Sequence, residues 1–206
     1  MSPAVRTFNR RVHIYAGLAL LLFLMLFAVT GLLLNRHWEF TEFYPQRRIA
    51  TAERSFATPL RAQGDVARAR EIMGALDLKG DVSTTSIAPD GRFTVQATRP
   101  GENLKIEADL ITGRATVETA RFNGWGVART LHTFIGVSRT DPQRHRDWWL
   151  TSVWALALDL TAVGMVLLVI GGLIEAWVAN PRRLPLALAF GAGVAGCLVF
   201  VLGVLP

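Results

Sequence analysis

Four histidines and one acid are the residues whose types and settings could do chemistry in this sequence. His13 stands just inside the start of a long apolar run, RRVHIYAGLALLLFLMLFAVTGLLLNRHW, and His37 just past its end. His132 lies in LHTFIGV, His145 in Arg144-His145-Arg146, and Asp159 interrupts a second apolar run. Imidazoles that face one another from two membrane helices are a standard way to hold haem iron for electron transfer, so the histidines form one candidate set. An acid within a span is costly unless it faces the bundle interior, pairs or is protonated. Asp159 is therefore a candidate for a proton, ligand-orienting or charge-compensating role, set against a simple hydrogen bond near the outer interface.

Spacing separates these histidines. An advance of 24 residues from His13 to His37 is about 36 Å along a helix and leaves the two about 120° apart around it. They cannot share one iron. His37 and His132 are the best same-side pair, each with apolar or aromatic neighbours, whereas His145 reads as a solvated loop residue. His13 has no same-side histidine in the chain, so a bis-histidine site there needs a second subunit, a partner or another axial ligand. Gly17, Leu24, Ala28, Gly31 and Asn35 lie close to the His13 stripe; the small ones leave room for a flat macrocycle or serve as helix contacts. The competing reading of each histidine is an interfacial side chain with its apolar edge in lipid and its nitrogens in water.

The elements that must position these residues are membrane helices. Of 206 residues 51% are apolar, and three runs are long enough to span a bilayer. The first continues beyond the ~7–15 apolar residues of a secretory signal and leads into Asn35, Arg36 and His37, so it reads as a retained anchor. Expected boundaries are a cytoplasmic N-terminus at 1–11, spans at 12–35, 148–178 and 184–206, and a cytoplasmic loop at 179–183. Arg10, Arg11, Arg182 and Arg183 put those ends in the cytoplasm by the positive-inside rule, leaving 36–147 extracytoplasmic. Glu175 has Arg182 and Arg183 as expected partners. Ala157, Thr161, Gly164 and Gly171 form one stripe of small residues, and Ala189, Gly193, Gly196 and Gly203 another.

Cys197 is the one cysteine, which excludes a disulfide, a thiolate zinc site or an iron–sulfur cluster built by this chain alone. The net charge of +6 comes mostly from scattered arginines without a basic run, so nucleic acid is not an expected partner; membrane lipid is. No phosphate loop, nucleophile elbow or HExxH pattern is present.

Between the spans, 36–64 reads as an Arg-rich linker with Pro45 and Pro59, and 65–120 as a small α+β unit. Asp65 is the expected cap of a helix carrying Val66, Ala69, Ile72, Met73 and Leu76, stopped by Gly80. Short strands are expected at 82–88, 93–98, 104–110 and 115–117, separated by Pro-Asp-Gly, Pro-Gly and Thr-Gly turns. The amphipathic segment 121–147 is expected along the outer membrane surface.

The order VHIYAGLALLLFLMLFAVTGLLL, then LKGDVSTTSIAPDGRFTVQATRPGENLKIEADLITGRATVE, then LHTFIGV and DLTAVGMVLLVIGGLIEAW resembles the PepSY-associated transmembrane family. Carrying the resemblance are His13, Gly17, Thr30, Gly31, the Asp109 to Gly113 turn and Leu131-His132, in nearly the whole chain. The resemblance implies an α-helical membrane protein with three transmembrane helices and a small α+β extracytoplasmic PepSY-like domain in the bacterial inner membrane. Some members are similar to siderophore-iron reductases carrying b-type haem on histidines, and His13 and His132 are the positions most like theirs. Having three spans and few histidines, the chain departs from the larger members. Two functions are thus expected: a haem b electron-transfer protein supporting ferric-siderophore reduction, with haem iron on His13, His37 and His132, or a non-enzymatic anchored module that binds or regulates another envelope protein. A homodimer or other envelope and iron-uptake proteins are the expected partners.

Overall fold

A computed structural model describes residues 2–36, 48–138, 141 and 143–204. Three of its helices are long and apolar enough to cross a membrane: α1 (Pro3–Asn35), α4 (Trp149–Ala179) and α5 (Arg183–Val204). Between α1 and α4 lie β1 (Arg48–Ser55), α2 (Asp65–Ala75), β2 (Asp81–Ile87), β3 (Phe93–Arg99), β4 (Glu102–Asp109), β5 (Arg114–Arg121) and α3 (Gly124–Thr133). The chain divides into two units, Met1–Phe23 with Asp159–Pro206, and Leu24–Leu158.

In the first unit, the small-residue stripe of α4 meets α1. A Cβ on Gly164 would overlap Leu20, one on Gly171 would lie 3.2 Å from Asn9 Oδ1, and one on Gly17 would touch Leu168. Removing side chains here lets the helices pack closely where no hydrophobic effect drives them together. Asn9 Nδ2 adds hydrogen bonds to the Gly171 carbonyl at 3.1 Å and to Glu175 Oε1 at 3.4 Å. Glu175 therefore pairs with Arg6, at 3.8 Å, rather than with the expected arginines of the α4–α5 link. Arg183 instead stacks over Trp177 at 5.3 Å. The second expected stripe is different: Cβ atoms added at Gly193, Gly196 and Gly203 on α5 meet nothing within 4 Å.

In the second unit, five antiparallel strands form a sheet in the order β1-β5-β4-β3-β2. Alternate residues Phe93, Val95 and Ala97 of β3 and Leu104, Ile106 and Ala108 of β4 point to one face, where they bury against Ala69, Ile72 and Met73 of α2 and Leu76 just after it. Full burial of Phe93 or Ile106, both 0% exposed, contributes about 1.5–3 kcal/mol each. The Asp109 turn forms as the sequence suggests, its carboxylate accepting the N–H groups of Ile111 and Thr112 at 2.8 and 3.2 Å.

Two local expectations are corrected. The stretch read as a linker contains β1, paired with β5 from Arg48↔Arg121 to Ser55↔Arg114. All eight of its residues are exposed, so it has no alternating pattern to betray it. Asp65 is not the α2 cap either. Gly64 occupies that position at φ 88°, with no side-chain cap, and Asp65 lies in the first turn, 3.7 Å from Arg68. There its charge still complements the helix dipole.

Candidate functional site

The clearest histidine arrangement is built on α1 and α3 within the second unit. Asn123 caps α3, its side chain accepting from Gly126 N at 3.1 Å, and Thr130 ties its hydroxyl back to the Gly126 carbonyl at 2.8 Å. That short helix places His132 in its last turn, half-buried. The ring meets Thr30 of α1, which is 1% exposed: His132 Nδ1 is 2.7 Å from Thr30 Oγ1. Thr30 Oγ1 is also 2.7 Å from the Leu26 carbonyl. A hydroxyl has one proton, and the carbonyl can only accept, so both contacts are satisfied together when Thr30 donates to Leu26 and His132 donates from Nδ1. The neutral ring is thereby fixed as the Nδ1–H tautomer, leaving the Nε2 lone pair available.

Gly31 provides the space beside that nitrogen. A Cβ there would stand 3.4 Å from His132 Cε1 and 3.9 Å from Nε2. Phe27 meets the imidazole edge-on at 5.4 Å and Trp154 in turn at 6.2 Å. Threonine therefore orients the ring, glycine makes room for it and Phe27, itself backed by Trp154, walls it.

His13 has a different setting, in the first unit. Its Nδ1 and Cε1 lie against the backbone of α4, 3.5 and 3.3 Å from Cβ positions built on Gly171 and Gly172. Nδ1 is buried with no hydrogen-bond partner among the described residues. A proton there would be an unpaired buried donor, so of the two neutral tautomers the one with its proton on Nε2 leaves no buried donor unmade. His37 lies outside the described residues. His145 is exposed, and its backbone N–H reaches Asp141 Oδ2 at 3.3 Å. Asp159 is exposed on α4. Among the described residues, no group of three or more His, Cys, Asp or Glu could hold a metal ion.

A polar joint that the sequence did not reveal connects the sheet to the start of α4. Asp81, 1% exposed, accepts the backbone N–H groups of Asp147 at 2.7 Å and Trp148 at 3.1 Å through Oδ1, and the Thr151 hydroxyl at 2.5 Å through Oδ2. Its carboxylate thus serves the N-terminus of α4 as an anion from another element. Asp147 reciprocates by accepting Val82 N at 3.0 Å, and Arg70 bridges the carboxylates of Asp141 and Asp147. Ser138 donates to the Ser83 carbonyl at 3.1 Å. Ser138 and Asp147 consequently satisfy backbone groups of β2, an edge strand that would otherwise present them unpaired. Burial pushes the Asp81 carboxyl above the usual aspartate range, against the downward pull of the Thr151, Trp148 and Asp147 hydrogen bonds. The Arg70 hydrogen bond, aided by the Gln143 N–H, holds Asp141 below that range.

The model of the PepSY-associated TM region matches residues 10–193, which takes in most of α1, the sheet with α2, α3, α4 and the first half of α5. The chain belongs to the PepSY-associated TM family. Within this family member, the Thr-Gly pair near the end of α1 and the histidine of Leu131-His132 form one contact. Comparison with curated proteins and with solved structures gives no match.

Proposed function

We propose that this PepSY-associated protein is a b-type haem electron-transfer protein of the bacterial inner membrane, with the N-terminus cytoplasmic and 36–147 extracytoplasmic. His132 supplies one axial ligand. What supports the reading is the Thr30–His132 hydrogen bond at 2.7 Å: ligating histidines generally donate their other ring N–H to a fixed acceptor, which sets the tautomer and raises ligand basicity. A bound haem would supply one-electron chemistry, serving reduction of an extracytoplasmic ferric siderophore.

The fit is to half of a bis-histidine site. No second histidine faces His132 among the described residues, so the other axial ligand comes from His37, from a second copy or from a partner. His13 fits less well, because its ring edge is occupied by α4 backbone and the favoured tautomer protonates Nε2. In this proposal His13 and Asn9 hold α1 to α4. Asp159 would compensate charge only if a partner covers it.

A second reading, the anchored module that binds or regulates another envelope protein, is favoured by the Asp81 joint, which fixes the sheet to a membrane helix without needing a cofactor. Haem content per chain separates the two. Full-length protein expressed with ample haem should carry it in wild type and His145→Ala but lose it in His132→Ala. Haem-free wild type would leave the anchored module.

A further inference from the structure

Asp159 is placed where a lone carboxylate is poorly tolerated. Trp149 and Trp177, at the two ends of α4, are 28 residues apart by number, about 42 Å along the helix, matching the ~40–45 Å thickness of a bilayer with its headgroups. Asp159 is ten residues past Trp149, about 15 Å along the helix, and thus ~9 Å inside the ~30 Å hydrocarbon layer. Its short side chain does not bridge that distance to water. The residue is exposed, and no hydrogen bond or ion pair reaches it from the described residues.

Helical geometry shows which face is involved. At 100° per residue, Val163, Val166 and Ile170 stand within about 40° of Asp159, while Gly164, Leu168 and Gly171, which face α1, lie about 120° or more away. Val163, Val166 and Ile170 are 59%, 58% and 51% exposed. Near Trp177, α4 and α5 approach around a groove of about 400 Å³ lined by Leu173, Trp177, Leu186 and Phe190. Beyond Leu186, every residue of α5 through Gly203 is exposed. Its glycines, with nothing within 4 Å of an added Cβ, allow a helix to approach closely.

Charge complementarity selects the occupant. Residues 14–34 of α1 and 184–203 of α5 contain no Lys, Arg or His, so this chain has no cation in those spans to offer Asp159. A second copy related by an axis along the membrane normal would bring Asp159 against itself, like charge to like. We infer that the Asp159 face of α4, together with the uncovered α5, docks a transmembrane helix of a different polypeptide that carries an Arg, Lys, His or side-chain amide at the depth of Asp159. Pairing removes the cost of exposing the carboxylate to lipid, and the glycines supply the close contact.

Photo-crosslinking of the full chain in its host membrane tests this, with a photoreactive residue at Val163 or Val166 and, as control, at Leu168. Expected is one discrete heteromeric adduct from Val163 or Val166, whose crosslinked peptide is an apolar span containing one of those polar residues. Asp159→Leu should reduce its yield at least tenfold while leaving the internal Leu168 adduct with α1 unchanged. Adducts with lipid alone, a homodimer, a partner span without such a residue, or a yield indifferent to Asp159→Leu would each overturn the inference.

Discussion

Replacing Asp81 by alanine should loosen the joint between the sheet and α4 more than any surface change. The substitution removes the acceptor of three donors, the N–H groups of Asp147 and Trp148 and the Thr151 hydroxyl. An unsatisfied buried donor costs about 1–3 kcal/mol. Water can reach the partly open 147–148 turn, so the lower end of that range applies to each, giving about 3 kcal/mol in all. For a chain of 206 residues that corresponds to a fall of roughly 6–12 °C in midpoint. Asp81→Asn keeps one oxygen for the backbone donors but offers an amide N–H where Thr151 needs an acceptor, so about 1–2 kcal/mol should be lost. Thermal unfolding of the detergent-solubilised protein, followed by proteolysis in the segment from Gln143 to Trp148, measures both. A midpoint in Asp81→Ala within 3 °C of wild type, with that segment still protected, would refute the view that this carboxylate fastens the two elements.

Gly136→Ala should disturb the same joint, since Gly136 adopts φ +61° and an added Cβ would overlap Thr151 and lie 3.0 Å from Asp81 Oδ2. A loss of about 2–3 kcal/mol in the same unfolding measurement is expected. Thr30→Val removes the acceptor of His132 Nδ1–H and should weaken haem retention about 10–100-fold, read by titration of haem into protein freed of it; unchanged retention would remove Thr30 from the site. Acid should weaken the sheet unit. Asp109 and Asp141 are held below their ordinary value of 3.8, and Glu71 below 4.5. Their stabilisation is therefore present above those values and lost as pH falls through the depressed ones. Asp81, raised above 3.8, acts oppositely and loses stability as pH rises from 3.8 to its folded value. Unfolding midpoints measured from pH 6 to 2.5 should fall most steeply below pH ~4; a flat or rising profile there would contradict the sign.

The apolar runs made the three spans readable, because length and hydropathy alone decide that question. Alternation in FTVQATR and ENLKIEAD revealed β3 and β4, whose inward residues build the core. β1 was hidden for the opposite reason: RIATAERS buries neither face and carries no period. Asp81 was invisible in a different way. Following Gly80, it reads as an ordinary turn residue, while its partners Asp147, Trp148 and Thr151 are 66 to 70 residues away. Thr30 and Gly31 were conspicuous as a pair near the end of a span. Their use depends on His132, 102 residues later, and only the fold brings them together. The small stripe of α4 was correctly read as a packing surface, but the partner it selects is the His13 and Asn9 side of α1.

The most direct measurement is the absorption spectrum of purified full-length protein, oxidised and then dithionite-reduced, for wild type and His132→Ala. A Soret shift and a sharp reduced α-band in wild type, lost in His132→Ala while the variant keeps its thermal midpoint within a few degrees, is the predicted result. A colourless wild type, or a spectrum untouched by His132→Ala, would contradict the assignment of His132 as an axial ligand.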